Sequence, residues 1–215
     1  MGTIKIDEEF KGLLPELSRA TFESLEENIL LNGCLDPLVL WGDILIDGHS
    51  RYEICTKHGV PFSTVSKEFA SREEALIWII SSQVSRRNLT PLQLSHFRGL
   101  HYGAVRKIQG TYGRNAAKNE NPRNGNPHGS TVVRLSMEYN VSKNTIGRDV
   151  KIAEAIEAIG HASPAAKKMI LDGDVNVGKL ALEALAARPR EFIAEVARQI
   201  EDGTYDKKHP LAAGH

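Results

Sequence analysis

Apolar residues in the first third of the chain change their period several times, and each change marks an element. Across LSRATFESLEENILLNG, residues 17 to 33, Leu25, Ile29 and Leu30 recur at the spacing of one helical face, and Gly33 stands where such a helix stops. PLVLWGDILIDG, residues 37 to 48, instead holds two short apolar runs, Leu38 to Leu40 and Ile44 to Ile46. A Trp41-Gly42-Asp43 turn between them predicts a pair of strands. RYEICTKHGV predicts a short helix ended by Gly59, and VPFSTVSKEF, residues 60 to 69, alternates as a strand does. SREEALIWIISSQ, residues 71 to 83, joins a serine cap and an acidic first turn to an apolar helical repeat. Helices and strands interleaved in this way predict a small mixed α/β unit.

The texture changes from Asn88. LTPLQLSHFRGLHYGAVRKI reads as a helix after Thr90, with Pro91 at an allowed first-turn position. GTYGRNAAKNENPRNGNPHGS, residues 110 to 130, is crowded with Gly, Asn and Pro, and its near absence of aliphatic residues predicts a long mobile loop or linker. Beyond it, Ser130 is placed to cap a helix carrying Val132, Val133, Leu135 and Met137. Asn140 falls at a turn that favours a left-handed backbone. Ser142 caps a second helix, whose Ile146, Val150 and Ala153 are expected inside. Helix, short turn, capped helix is the pattern of a helix-turn-helix, whose second helix enters the major groove of DNA. Its outward positions are Lys143, Asn144, Gly147, Arg148 and Lys151. Two further helical pieces are expected near 163 to 187 and 189 to 202, separated by Arg188-Pro189, before a frayed tail, YDKKHPLAAGH.

The expected class is therefore α+β. A mixed α/β domain over 1–85 precedes a basic helical domain over 86–160, with the helix-turn-helix at 130–155 and the loop at 110–130. C-terminal helices and the tail occupy 161–215. An ordinary pair of packed helices is the plainer account of 130–155, and charge bears on that choice. The net charge of zero hides an uneven spread: residues 1 to 83 hold 7 Lys/Arg against 14 Asp/Glu, residues 84 to 151 hold 12 against 3, and residues 152 to 215 hold 8 against 10. A basic segment between acidic flanks is the footprint of a surface that meets phosphates, and the match to a helix-turn-helix lies inside it.

No stretch approaches the run of about 18 apolar residues that a membrane helix needs. MGTIKIDEEF has neither a basic start nor an apolar signal core, so a cytoplasmic protein, associated with nucleoid or plasmid, is expected. Cys34 and Cys55 lack a CxxC spacing or a second ligand pair, which argues against a zinc site or a disulfide scaffold and makes both read as small buried hydrophobes.

One turn remains, LIDGHSRYEI, residues 45 to 54. A glycine between strand and helix lets backbone N–H groups face an anion, the helix N-terminus adds a favourable dipole, and Arg51 supplies charge and two donors. Gly48, His49, Ser50 and Arg51 thus form a candidate phosphate cradle. Arg86 and Arg87, between an apolar helix and a Thr-Pro helix start, are candidates to join it. For DNA, Ser142, Lys143, Asn144, Thr145, Arg148 and Lys151 are candidates on the second helix of the pair, with Arg123 in the basic linker gripping phosphates.

In this order the pieces resemble the ParB-like superfamily, with its ParB/sulfiredoxin-fold amino-terminal domain and following helix-turn-helix. The resemblance rests on LLPELSRATFESLEENILLNG, DPLVLWGDILIDGHSRYEICTKHGVPF, SQVSRRNLTPLQLSHFRG and the helix pair, over roughly residues 10 to 160. It is closest to short members of plasmids, phages and other mobile elements. It implies double-stranded DNA as partner, in partition or regulation. It also implies a CTP- or ATP-dependent switch or weak NTPase with magnesium, in which Gly48 and Arg51 hold phosphates and Arg86 completes the pocket.

The departures are specific. Family partition proteins carry two arginines in the turn where this chain has His49-Ser50-Arg51. They carry Glu-Asn before the junction arginine where this chain has Ser82-Gln83, which removes the magnesium-side carboxylate and argues against hydrolysis. Sulfiredoxin needs a cysteine between the glycine and the arginine, and a nuclease needs a metal cluster; the sequence has neither. A homodimer reading paired half-sites is expected. A protein partner docked on the acidic amino-terminal domain is the remaining alternative, and no membrane partner is expected.

Overall fold

In the first unit, β1 (Lys5–Ile6) runs into α1 (Glu8–Lys11), where the Asp7 carboxylate accepts the Phe10 N–H at 3.1 Å and so caps an orphan donor. α2 (Arg19–Asn32) is capped by Ser18 and closed by Gly33 at φ 78°. A hairpin follows, β2 (Leu38–Trp41) and β3 (Ile44–Asp47), turning at Gly42 with φ 59°, a left-handed conformation open to glycine. α3 (His49–His58), β4 (Thr64–Ser66) and α4 (Arg72–Val84) complete the unit. A computed structural model describes residues 3–14, 17–85, 89–116 and 131–206, side chains excepted at 111–116. The chain divides between Ser85 and Arg86 into two compact units.

The sheet has the order β1-β3-β2-β4. Only the hairpin is antiparallel; β1 joins β3 and β4 joins β2 in parallel, with a bulge between Val39 and Leu40. Buried Phe10, Leu38, Leu45, Ile46, Ile54, Ile79 and Ile80 form the unit's apolar interior. Arg72 ties the start of α4 to α1. It bonds both Asp7 oxygens at 2.8 Å and Glu9 at 2.6 Å, and its guanidinium lies 4.3 Å from the Phe10 ring centroid.

Three expectations for this unit change. The strand expected over 60 to 69 is only β4, all of it exposed, because Phe62 turns into the cluster of Ile29, Ile54 and Cys55 instead of continuing the ladder. α3 starts at His49 rather than after the motif, so the motif is itself the first turn of a helix. Leu30 is exposed, and Ile29, with half-buried Phe22 and Leu25, carries the packing of α2.

The second unit is helical: α5 (Pro91–Ala116), α6 (Thr131–Glu138), α7 (Lys143–Ala162), α8 (Pro164–Asp172), α9 (Lys179–Leu185) and α10 (Arg190–Glu201). The helix after Thr90 runs on to Ala116, so residues 110 to 116 are helical and not loop; the rest of the expected loop, with Ser130, lies outside the described residues. The piece expected over 163 to 187 is two helices, broken at Gly173, whose φ of 86° cannot continue a helix. The C-terminal helices set apart in the sequence share one core with α7, through Ile152, Ile156 and Ile159 against Ile170, Leu182, Val196 and Ile200. Met137 is exposed at 76%, leaving Leu135 as the α6 anchor.

α5 and α7 cross closely at Gly99. A Cβ there would stand 2.3 Å from the Asp149 carbonyl oxygen and 2.5 Å from the Ala153 side chain, closer than atoms pack. Beside it Arg98 Nε donates to Asp149 Oδ2 at 2.5 Å, with Asp149 buried and Arg98 mostly so. Further along, His96 Nε2 donates to Glu157 Oε1 at 2.6 Å while Lys167 Nζ bonds both Glu157 oxygens at 2.8 and 2.9 Å. Burial pushes the His96 imidazole below its ordinary range, so it stays neutral. Burial works against the Glu157 carboxylate, and the hydrogen bond from His96 and the charge of Lys167 overcome it, holding it down to about 2.

Both tryptophans, Trp41 and Trp78, lie in the first unit, so their fluorescence reports it alone. Gly99→Ala should lower the second unit's stability by about 1–3 kcal/mol, the range for overpacking, seen as an earlier far-ultraviolet transition with the tryptophan transition unmoved. Gly103→Ala, with nothing within 4 Å of its Cβ, should cost nothing. Acid should weaken the same unit in two steps. Because the folded state binds fewer protons than the unfolded chain, His96 should withdraw stability below its usual 6.5, and Glu157 between its usual 4.5 and about 2. Glu157→Gln should remove the lower step from helical melts taken across that range.

Candidate nucleic-acid interface and phosphate turn

Gly48 makes the turn between β3 and α3, and nothing else fits there. Its φ is 95°, and a Cβ would stand 2.7 Å from Leu38 Cδ2 and 2.9 Å from the Arg51 guanidinium. It supplies no side-chain cap, so the first N–H groups of α3 are left without a capping side chain. That is the backbone arrangement an anion uses.

The side chains are arranged less simply. Arg51 folds back over Gly48, where its guanidinium donates to the Pro37 carbonyl and to Asp47 Oδ2, each at 3.2 Å. Its Nε is buried without a hydrogen-bond partner. Asp47 therefore already supplies the negative charge that a phosphate would bring, and an incoming anion competes with it. His49 is half-buried with neither ring nitrogen hydrogen-bonded. Burial lowers its pKa, against the raising effect of Asp47, so the ring is neutral and offers one N–H donor but no charge. Ser50 is half-buried in the same first turn. Gly48, His49, Ser50 and Arg51 thus come together, and the set fits one small anionic group once Arg51 leaves Asp47. Arg86 and Arg87 lie outside the described residues. Among the described residues no group of three or more His, Cys, Asp or Glu could hold a metal ion.

In the second unit, α6, a turn at Tyr139–Ser142 and α7 follow one another. Asn140 has φ 50°, the left-handed conformation its position suggested. Ser142 Oγ accepts the Thr145 N–H at 3.0 Å and lies 2.8 Å from the Thr145 hydroxyl, so these two side chains are occupied in starting α7. Behind the turn, the Tyr139 hydroxyl and His101 Nδ1 are 2.6 Å apart, which fixes the turn against α5. Lys143, Asn144, Gly147, Arg148 and Lys151 are all exposed. Arg148 is 68% exposed, and the Glu183 carboxylate lies 4.0 Å from its Nε. Arg123 lies outside the described residues. Val150, expected inside, is only half-buried, because the inward place goes to Asp149, held by Arg98.

Sequence reasoning missed the buried polar partners of α7: Arg98 with Asp149, and His96 with Glu157 and Lys167. No sequence signal pointed to them; in the structure Ser95, His96 and Phe97 of α5 are consecutive and all buried. That points to a helix enclosed on more than one side. It also passed over Arg106 and Arg134, exposed cations on α5 and α6.

No family model matches the chain, and no curated protein matches it. Solved structures do. A Pnob8-like ParB-N domain is 21% identical and covers 98% of this chain and 82% of its own, with a TM-score of 0.52. The fold is ParB-like. A further structure, of the pNOB8-like ParB N-domain, is 22% identical and covers 93% of this chain and 73% of its own, with a TM-score of 0.49. Within this ParB-like fold, among the described residues, no helix is long and apolar enough to cross a membrane.

Asp47→Asn should release Arg51 and strengthen binding of pyrophosphate several-fold, while Arg51→Met should abolish it, both read by calorimetry. Gly48→Ala should cost the first unit about 1–3 kcal/mol, the scale of a residue held in a strained backbone region, read by tryptophan fluorescence in a urea series.

Proposed function

We propose that the chain is a sequence-specific DNA-binding protein of the ParB-like type, with α6 and α7 acting as a helix-turn-helix. The observation that carries the reading is the exposed face of the first turns of α7. Lys143, Asn144, Arg148 and Lys151 are exposed there, and the one acidic residue among them in sequence, Asp149, is turned inward and neutralised by Arg98. A helix so arranged presents donors and positive charge to base edges and phosphates. The ParB-like fold supports the same reading. Lys143, Asn144 and Arg148 reach base edges, where arginine prefers guanine and asparagine adenine. Lys151 and Arg123 contact phosphates, and Ser142 and Thr145 hold the helix start. A homodimer reads two half-sites, in the partition or regulation of a plasmid, phage or other mobile element.

The second reading, that nucleotide binding switches this DNA binding, is favoured by the left-handed Gly48, the uncapped start of α3 and the unpartnered nitrogens of His49 and Arg51. CTP or ATP with magnesium is the ligand in that reading, its phosphates on Gly48, His49, Ser50 and Arg51 and on the junction pair Arg86 and Arg87. Calorimetry with the four ribonucleoside triphosphates, with magnesium and duplex present, decides it: heat from one of them supports the switch, and silence from all four removes it.

For the leading reading, Arg148→Ala should lose discrimination between preferred and random duplexes, a cost of about 1–3 kcal/mol at one base pair. Arg123→Ala should weaken all duplexes alike and reduce the slope of affinity against salt by about 1. Fluorescence anisotropy across a salt series checks both; wild-type behaviour from both variants would remove the helix-turn-helix assignment.

A further inference from the structure

The chain has two cysteines, and the fold brings them together. Cys34 follows the end of α2 in the loop leading to β2, and Cys55 lies on α3 one turn beyond Arg51. Both belong to one small apolar cluster, in which Cys34, Phe22, Leu25, Val60 and Phe62 pack around Ile29, Ile54 and Cys55. Both are free thiols, Cys55 buried and Cys34 partly exposed. Within this cluster burial pushes the Cys55 thiol up to about 11, and the neighbouring Cys34 acts in the same direction. Cys34 Sγ also donates to the Asp36 carbonyl at 3.4 Å. Neither thiol takes part in the DNA-facing helix, and neither is one of the residues of the anion turn.

We propose that Cys34 and Cys55 form a dithiol modification site, at which an oxidant of the peroxide class joins α3 to the loop before β2 by an intramolecular disulfide. Cys34 is the entry thiol, because it is the one solvent reaches. Its sulfur attacks the O–O bond and takes one oxygen as a sulfenic acid, and the other oxygen leaves as water after protonation. The Cys55 sulfur then attacks the sulfenic sulfur, its proton leaving with the hydroxyl as a second water. The dithiol loses two electrons, and the peroxide becomes two waters. A reducing thiol reverses the bond by exchange through a mixed disulfide. The apolar packing matters twice: it holds Cys55 at the place where the sulfenic acid forms, and it limits access of a second peroxide.

The bond would have a structural consequence close by. The loop that carries Cys34 also carries Pro37, whose carbonyl accepts from Arg51. Arg51 precedes Cys55 by four residues on α3, so both face the same side of that helix. Joining Cys34 to Cys55 fixes this loop against the helix face that positions Arg51.

The test reads the bond itself, so its outcome is separate from that of the DNA reading. The full chain is exposed to hydrogen peroxide, denatured, alkylated and mapped by mass spectrometry without reductant. The expected result is joint loss of both thiols, a mass lower by two hydrogens, and one peptide pair linked through Cys34 and Cys55 in a monomeric chain. Cys34→Ser should leave Cys55 as a thiol, and Cys55→Ser should stop at a Cys34 sulfenic acid that dimedone traps. Phenylarsine oxide, which needs two neighbouring sulfurs, should bind the untreated wild type once and neither variant. A Cys34 sulfinic acid beside a free Cys55, wild-type dimers joined through Cys34, or failure to take up the arsenical would each overturn the proposal.

Discussion

The second unit depends on one close crossing, that of α5 over α7 at Gly99. With no Cβ, Gly99 lets the α7 backbone approach until the Asp149 carbonyl and Ala153 fill the space a side chain would need. Arg98, next in the chain, reaches Asp149 and neutralises it inside the contact. Buried ion pairs add little net stability, because desolvation offsets the attraction, but breaking one strands a charge at a cost of about 3–5 kcal/mol. The pair therefore acts mainly on orientation, since α7 can rotate only by leaving Arg98 unpaired. His96, Glu157 and Lys167 repeat the constraint further along the helix. With its inner face fixed in this way, α7 has a defined outer face. The exposure of Lys143, Asn144, Arg148 and Lys151 follows from the packing on the opposite side.

The first unit poses the opposite problem, a site that partly satisfies itself. Gly48 leaves backbone donors uncapped at the start of α3, and Arg51 stands over them, yet its guanidinium is engaged by Asp47 and the Pro37 carbonyl. The turn is held in part by its own side chains. Its affinity for an anion is then a difference between two charge pairs, and Asp47 sets the threshold. The neutral His49 adds a donor where a second arginine would have added charge.

Much of this was legible in the sequence where local rules decide. Ser71 and Ser142 cap their helices, Gly33 and Gly59 close theirs, Gly42 turns the hairpin and Asn140 takes its left-handed conformation, because capping and positive φ depend on single residues. What escaped depends on contacts between distant residues. The pairing of Arg98 with Asp149 and of His96 with Glu157 joins positions far apart in sequence, and no periodicity announces it. β4 is short because Phe62 is drawn into a core that the alternating pattern does not show. The same holds for the turn: the Gly-His-Ser-Arg run suggested a cradle for an anion, but that Asp47 occupies its arginine is a fact of folding.

The central claim is that a fixed outer face of α7 reads duplex sequence. Selection of bound duplexes from a random pool by the full chain tests it most directly. The account predicts enrichment of a defined motif, bound more tightly than shuffled duplex at equal length and salt. A pool that stays random, with affinity set by length and salt alone, would contradict it.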